Sequence, residues 1–213
     1  CVCVCGKMVC RTQHSGRRRG CEKKSVSSKI SEDICQKNGH QLSDIDIIGL
    51  LNGPGTYTAM RLSLTVVKTI AQLYSTTLVG LSSLEHLAWM NRGRPGVYIS
   101  IFHARADQHN AALFGVEKRK LKRLTDDFLW TEPELLNFVS KQKGAMTFVG
   151  QLPESIVAQF GQTSSPSLSA PRIDYLESSI SARQVAFQVL DVGLTSENDE
   201  EEKNEGLYIC LYL

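Results

Sequence analysis

No stretch of this chain carries the run of about 18 or more apolar residues that a membrane-spanning helix needs, so no span is expected. The first residues lack the charged region and the longer apolar segment of a secretory signal, so none is expected there. Charge of one sign is scarce. The 24 Lys and Arg face 22 Asp and Glu, and a net charge of +2 does not demand a nucleic acid. Several catalytic frameworks are missing as well. There is no Gly-x-x-x-x-Gly-Lys-Ser/Thr phosphate loop, and no Gly-x-Ser-x-Gly elbow surrounds Ser82-Ser83, although His86 is near. None of His14, His40, His86, His103 and His109 has a histidine four residues away. A His-x-x-x-His pair, which shares a metal from one helix face, is therefore absent. A lone His86 reads as a surface or satisfied histidine.

What is present begins with seven cysteines, Cys1, Cys3, Cys5, Cys10, Cys21, Cys35 and Cys210, with no Cys-x-x-Cys pair among them. Cys1, Cys3 and Cys5 alternate with valines and share one face of a strand. Three thiols there could hold a soft metal, but no fourth ligand is evident, and three small buried hydrophobes explain the pattern as well. Unpaired thiols in this number point to a reducing, cytoplasmic setting. The cluster Arg17-Arg18-Arg19 with Lys23 and Lys24 reads as a solvated turn or as a contact for a nucleic acid or an acidic partner. Residues 197–203 are an acidic loop before the last strand.

A length of 213 residues can bury a real core, as one domain or as two small ones. Cys1–Cys5 and Lys7–Thr12 read as a hairpin, and Val26, Ile30 and Ile34 recur at i+4 on a helix over 24–37 that ends at Asn38-Gly39. Ile45–Leu51 is apolar at nearly every position, as a strand covered on both faces should be. A helix over 58–74, a strand over 78–81 and a short helix over 83–91 follow, with Ser82 and Glu85 as a capping box. Asn91-Arg92-Gly93-Arg94-Pro95-Gly96 reads as a boundary, giving domains 1–92 and 93–213. Beyond it the pattern partly repeats. There is a hairpin of 96–102 with 110–116, a strand over 118–124, and a helix over 131–141. A strand over 146–149 and a helix over 175–190 complete it.

The most informative stretch is Gly53-Pro54-Gly55-Thr56-Tyr57-Thr58-Ala59-Met60-Arg61-Leu62-Ser63-Leu64. It is a tight turn from a buried strand into a helix. Gly53 and Gly55 permit positive φ and close approach, Pro54 fixes one φ, and Thr56 or Thr58 can cap the helix. The free N–H groups of that helix would suit an anion, yet many strand–turn–helix junctions carry glycine with no ligand.

The string resembles Gly-Pro-Gly-Ser-Phe-Thr-Gly-Leu-Arg-Ile-Gly, the signature of the TsaB (YeaZ) family of bacterial tRNA threonylcarbamoyladenosine biosynthesis proteins. Val79–Ala88 is similar to that family's Val-Ser-Ser-Leu-Glu-Ala-Leu-Ala, and Gly206–Leu213 to its Tyr-Leu-Arg tail. The resemblance implies an α/β chain of two RNase-H-like units, each a mixed sheet with flanking helices. This is the actin, heat-shock chaperone and sugar-kinase (ASKHA) fold. Cys1 would then begin in the family's second strand, so the first strand is expected to be missing from this sequence. Either the family's N-terminus is absent from this sequence or the copy is degenerate. Losing a central strand would expose two apolar edges, so absence from the sequence rather than in the cell is expected.

The resemblance further implies a non-catalytic accessory subunit that binds and activates TsaD, a glycoprotease-like relative. TsaD carries the metal and moves a threonylcarbamoyl group from its adenylate to the adenosine next to the anticodon. Partners would be TsaD, or a second copy of the chain, with the ATPase TsaE in the complex and tRNA met indirectly. No cofactor of its own and no metal are implied, with ATP or ADP left open at a subunit interface. The His-x-x-x-His ligand positions of TsaD fall on Ser83 and Leu87. His103-Ala104-Arg105-Ala106-Asp107 stands where the family has Asp-Ala-Arg-Arg. A catalytic pairing of His103 with Asp107 and a plain exposed turn both remain open there. The helix over 58–74 shows two apolar stripes, Leu62-Val66-Ile70-Leu73 and Met60-Leu64-Val67-Ala71, and one sheet needs only one. The second stripe is covered either by packing within the chain, in part by the helix of Val26, Ile30 and Ile34, or by a partner. In the resembled family these two helices meet the same helices of TsaD or of a second copy. The resemblance therefore implies partner contact at Ile30, Ile34, Leu62, Val66, Val67 and Ile70, and the family-motif loop comprises Gly53, Pro54, Gly55, Thr56, Thr58 and Arg61. The alternatives are an ATP-binding actin-fold enzyme of the TsaD type and an inactive homodimeric scaffold.

Overall fold

The computed structural model describes residues 2–5, 35–37, 39–55, 57–141, 145–153, 173–176, 180, 182–196 and 208–211. These fall into two compact units. The first takes Cys1–Leu81 and Ile180–Leu213, and the second takes Ser82–Ser179.

The first unit is built on β2 (Ile47–Leu51), whose five residues are apolar or glycine. Successive side chains of a strand point to opposite faces. Ile48 and Leu50 enter one core with Ile45, Cys35 and the helix residues Val67 and Ile70. Leu51, with Ile47 beside it, enters a second core with Leu81, Val185, Ala186 and Val189. The helices that supply these covers are α1 (Tyr57–Tyr74) and α4 (Ala182–Ser196). Coverage of both faces is what the uninterrupted apolar run required. The sheet runs β1 (Val2–Cys5), β10 (Tyr208–Leu211), β2, β3 (Thr77–Leu81). β10 lies antiparallel to β1 and parallel to β2, and β3 is parallel to β2.

β10 lies between β1 and β2, with Cys210 opposite Gly49 on one side and Cys3 on the other. The division differs from the expected 92/93, because α4 and β10 return to the first unit. The physical reason is the second face of β2 and β3, which needs an apolar cover and finds it in Val185, Ala186 and Val189. Among the described residues β1 pairs with β10, and the expected hairpin partner over 7–12 lies outside the described residues, as does the helix over 24–34. The end of that helix is as expected. Gly39 has φ +76, its N–H donates to the Gln36 carbonyl at 3.1 Å, and the His40 N–H donates to the Cys35 carbonyl at 3.0 Å.

The second unit starts with α2 (Ser83–Met90), capped by the Ser82 hydroxyl. Its sheet has the order β6 (Lys120–Arg123), β5 (Gln108–Glu117), β4 (Gly96–Arg105), β8 (Met146–Gly150), β9 (Ile173–Leu176). β7 (Phe128–Thr131), which periodicity does not reveal, pairs with the other half of β5. α3 (Glu132–Ser140) buries Leu135 and Val139 against Ile99, Ile101, Leu113 and Phe148. Phe128, Trp130 and Phe138 stack in sequence at 3.7 and 4.6 Å. Tyr175, expected in a helix, lies in β9, where pairing with β8 satisfies its backbone, and the helix begins at Ala182 instead.

α2 packs so tightly on this sheet that a Cβ at Gly150 would meet the Ile101 carbonyl oxygen and come within 2.8 Å of Leu87 Cδ1. Gly150 also has φ +113, so only glycine is tolerated there.

Candidate functional site

The family-motif turn continues straight from β2. The Asn52 N–H donates to the Leu81 carbonyl at 2.9 Å and so ties the start of the turn to β3. Gly53 has φ +119, and a Cβ there would lie 2.9 Å from Met60 Sδ. The turn thus folds back onto the first turn of α1, and Met60 fills the space a side chain would take. Gly53 is accounted for by its own packing and backbone. Arg61 is engaged with its neighbour: its Nη1 donates to the Tyr57 hydroxyl at 2.8 Å, and its guanidinium lies 5.2 Å from the ring centroid. Tyr57 is 67% exposed, Thr58 and Gly55 are exposed, Pro54 is half-buried, and Thr56 lies outside the described residues.

α1 separates its two apolar stripes differently from the expectation. Val67 and Ile70 are core residues, with Leu64 and Val66 packed beside them. Val66, Val67 and Ile70 were expected at a partner face, and the correction has a geometric cause. At 100° per residue Ser63, Val67 and Ile70 form one face, and that face meets Ile45, Ile48 and Leu50. Leu62 is half-buried and Leu73 is 70% exposed. Between them Thr65 and Thr69 turn their hydroxyls onto the carbonyls of Arg61 (2.8 Å) and Thr65 (2.9 Å). Hydroxyls satisfied within the helix leave their methyl groups outward, so Leu62, Thr65, Thr69 and Leu73 form an outer stripe that is more apolar than its composition suggests. Ile30 and Ile34 lie outside the described residues, as do Arg17, Arg18 and Arg19.

On α2, Ser83 and Leu87 are both buried and Leu87 offers no donor atom to a metal. His86 is fully buried, not at the surface, and stacks on Trp89 at 5.8 Å. The N-terminal turn of α2 is held by Arg123. Its Nη2 donates to the Ser82 hydroxyl at 3.3 Å and lies 3.8 Å from the Glu85 carboxylate, while its Nη1 pairs with Asp127. The guanidinium also sits 4.8 Å from the Phe114 ring centroid.

At the β4–β5 turn, the ring set against His103 is that of His109, edge to face at 5.3 Å. His109 is buried, and that burial, reinforced by His103, pushes its imidazole below the ordinary value of 6.5. The Asp107 backbone and the Glu132 and Asp107 carboxylates partly offset the shift. Sequence reasoning passed over His109. The signal was available, because strands over 96–102 and 110–116 already place residue 103 opposite 109, as the register does. Among the described residues no group of three or more His, Cys, Asp or Glu is placed to hold a metal ion. No helix among them is long and apolar enough to cross a membrane.

Two α/β units, each a mixed sheet with flanking helices, define an actin-like (ASKHA) chain. Two solved structures share the fold. One is a Pseudomonas aeruginosa protein described as similar to peptidase YEAZ (TM-score 0.58, 14% identity, 83% of this chain and 78% of that one). The other is YeaZ from Pseudomonas aeruginosa (TM-score 0.56, 16% identity, 87% and 82%). The chain belongs to the family described as TsaD: tRNA N6-adenosine threonylcarbamoyltransferase, whose family model matches residues 25–158. The resemblance read from Gly53–Leu64 and Val79–Ala88 agrees with this. Over 107 residues the chain is 29% identical to the Bacillus subtilis (strain 168) tRNA threonylcarbamoyladenosine biosynthesis protein TsaB. That match spans 50% of this chain and 47% of the relative, about half the length of each.

Proposed function

We propose that this chain is a non-catalytic accessory subunit in tRNA threonylcarbamoyladenosine biosynthesis, working in the cytoplasm by binding TsaD and supporting its active conformation. The observation that carries the reading is the outer stripe of α1, where Leu62, Thr65, Thr69 and Leu73 lie on the side of the helix away from the core that Val67 and Ile70 enter, outside that core among the described residues. Leu87, which stands where the resembled enzyme family has a metal-binding histidine, supports leaving the transfer chemistry to TsaD. The chain needs no cofactor of its own in this reading. TsaE and an adenine nucleotide belong to the assembled complex.

The test mixes the protein with TsaD from the same organism on a sizing column and assays tRNA modification in the fractions. Co-elution, with activity that needs both proteins, is expected, and Leu62→Asp/Leu73→Asp should abolish both while the chain stays folded. Separate elution with TsaD active alone would overturn the reading. Self-association through the same stripe, without TsaD, would establish the homodimeric scaffold instead.

A further inference from the structure

The turn between β5 and β6 carries five cations within residues 118–123: Lys118, Arg119, Lys120, Lys122 and Arg123. Its two central residues, Lys118 and Arg119, have φ +49 and +65. Two successive left-handed residues make the tight hairpin turn whose twist suits antiparallel strands, and Asn-Gly or Gly-Gly is the sequence that turn favours. Side chains with a Cβ are disfavoured in both positions. Here two long cationic side chains occupy them, both exposed.

The rest of the hairpin keeps its charge outward. Lys120 and Lys122 alternate with Leu121, so they share one face of β6, about 7 Å apart at two residues' rise. Both are exposed. Arg123, on the opposite face, is taken up by Ser82, Glu85 and Asp127 and anchors the hairpin to α2. Lys118, Arg119, Lys120 and Lys122 make no ion pair among the described residues. The acids nearest in chain and register are Glu117, opposite Lys120, and Asp126 beyond the strand.

We propose that this hairpin is a docking surface for the phosphodiester backbone of RNA. Two observations select RNA. Cations in alternate positions of an exposed strand match a repeating phosphate line, and backbone contacts of this kind position a nucleic acid without reading its bases. Three of the four cations that make no ion pair among the described residues are lysine, which is depleted in protein–protein interfaces. Holding cations where Asn-Gly would be less strained is the kind of local cost that function imposes. The inference rests on the reading that the chain works in tRNA modification. That reading supplies the RNA, and the hairpin supplies the contact.

The experiment measures binding of the chain, and of Lys118→Asn/Arg119→Gly, to a transcribed tRNA with adenosine next to its anticodon across a salt series. Melting temperature and co-elution with TsaD are recorded in parallel. The variant is expected to melt higher, to co-elute as before, and to bind tRNA roughly tenfold more weakly at low salt. Its log–log salt slope should be shallower by about 1.4, two charges at about 0.7 each. A variant of unchanged tRNA affinity and slope would overturn the proposal, whatever its melting temperature. Equal losses on polyglutamate or on phosphatidylserine vesicles, with no preference for tRNA, would overturn the assignment to RNA. Failure of the unmodified chain to meet TsaD would count against the accessory-subunit reading alone.

Discussion

Truncating Val67 to alanine tests which face of α1 is core. Val67 is wholly buried among Ile45, Ile48 and Leu50, whereas Leu73 on the same helix is 70% exposed. Val67→Ala removes two buried carbons, worth about 0.8 kcal/mol each in transfer free energy. The cavity left behind adds to this, because tightly packed surroundings relax only partly, giving a cost of roughly 2–3 kcal/mol. In a chain of this size each kcal/mol lowers Tm by about 2–4 °C, so a fall of roughly 5–10 °C is expected. Leu73→Ala should stay within about 0.5 kcal/mol of the parent, as exposed positions do. Calorimetry or thermal circular dichroism on the two variants reads the difference directly. A Val67→Ala variant that melts within about 1 °C of the parent, or a Leu73→Ala variant that loses as much as Val67→Ala should, would refute this assignment of faces. The docking stripe would then have to be redrawn through Val67 and Ile70.

Three further outcomes are expected. Gly150→Ala forces a side chain to φ +113 against the Ile101 carbonyl oxygen, and should cost roughly 2–4 kcal/mol in urea denaturation. An unchanged midpoint would mean β8 ends elsewhere. His109 favours its neutral form when folded, so the unfolded chain takes up a proton first as pH falls. Stability should therefore drop below about pH 6.5, and a His109→Gln variant should show a flatter profile over pH 5–7. A parallel profile would remove His109 from the account. Glu134 accepts from both the N–H and the hydroxyl of Thr131, which holds its carboxyl below the ordinary 4.5. Its contribution is present above that value and lost as pH falls through the lower folded value. Glu134→Gln should shrink the acid-side decline in melting temperature, and an identical decline would show that Glu134 contributes nothing to it.

Much of this protein was legible in one dimension, because local physics sufficed. The apolar run Ile45–Leu51 announces a strand covered on both faces, and the Gly53-Pro54-Gly55 turn announces a helix start. Gly39 stops a helix, Ser82 and Thr131 start two more, and the order of these signals carried the family resemblance. The turn geometry at Lys118 and Arg119 was not legible, since neither residue type advertises a left-handed backbone. Nor was β7, whose four residues form a strand only because half of β5 offers them an unpaired edge. Apolar positions all round α1 were visible, but the two stripes read from them were not the faces that form, because the core face takes Ile70 from one and Val67 from the other. That was decided by Ile48 and Leu50, which reach Val67 and Ile70 and leave Leu62 and Leu73 outside. The return of α4 and β10 to the first sheet was likewise a tertiary matter. Pairing between residues more than 150 positions apart has no local signature. It arises because β2 has a second face to cover and a neighbouring strand position to fill, and the apolar face of α4 and the backbone of β10 satisfy both.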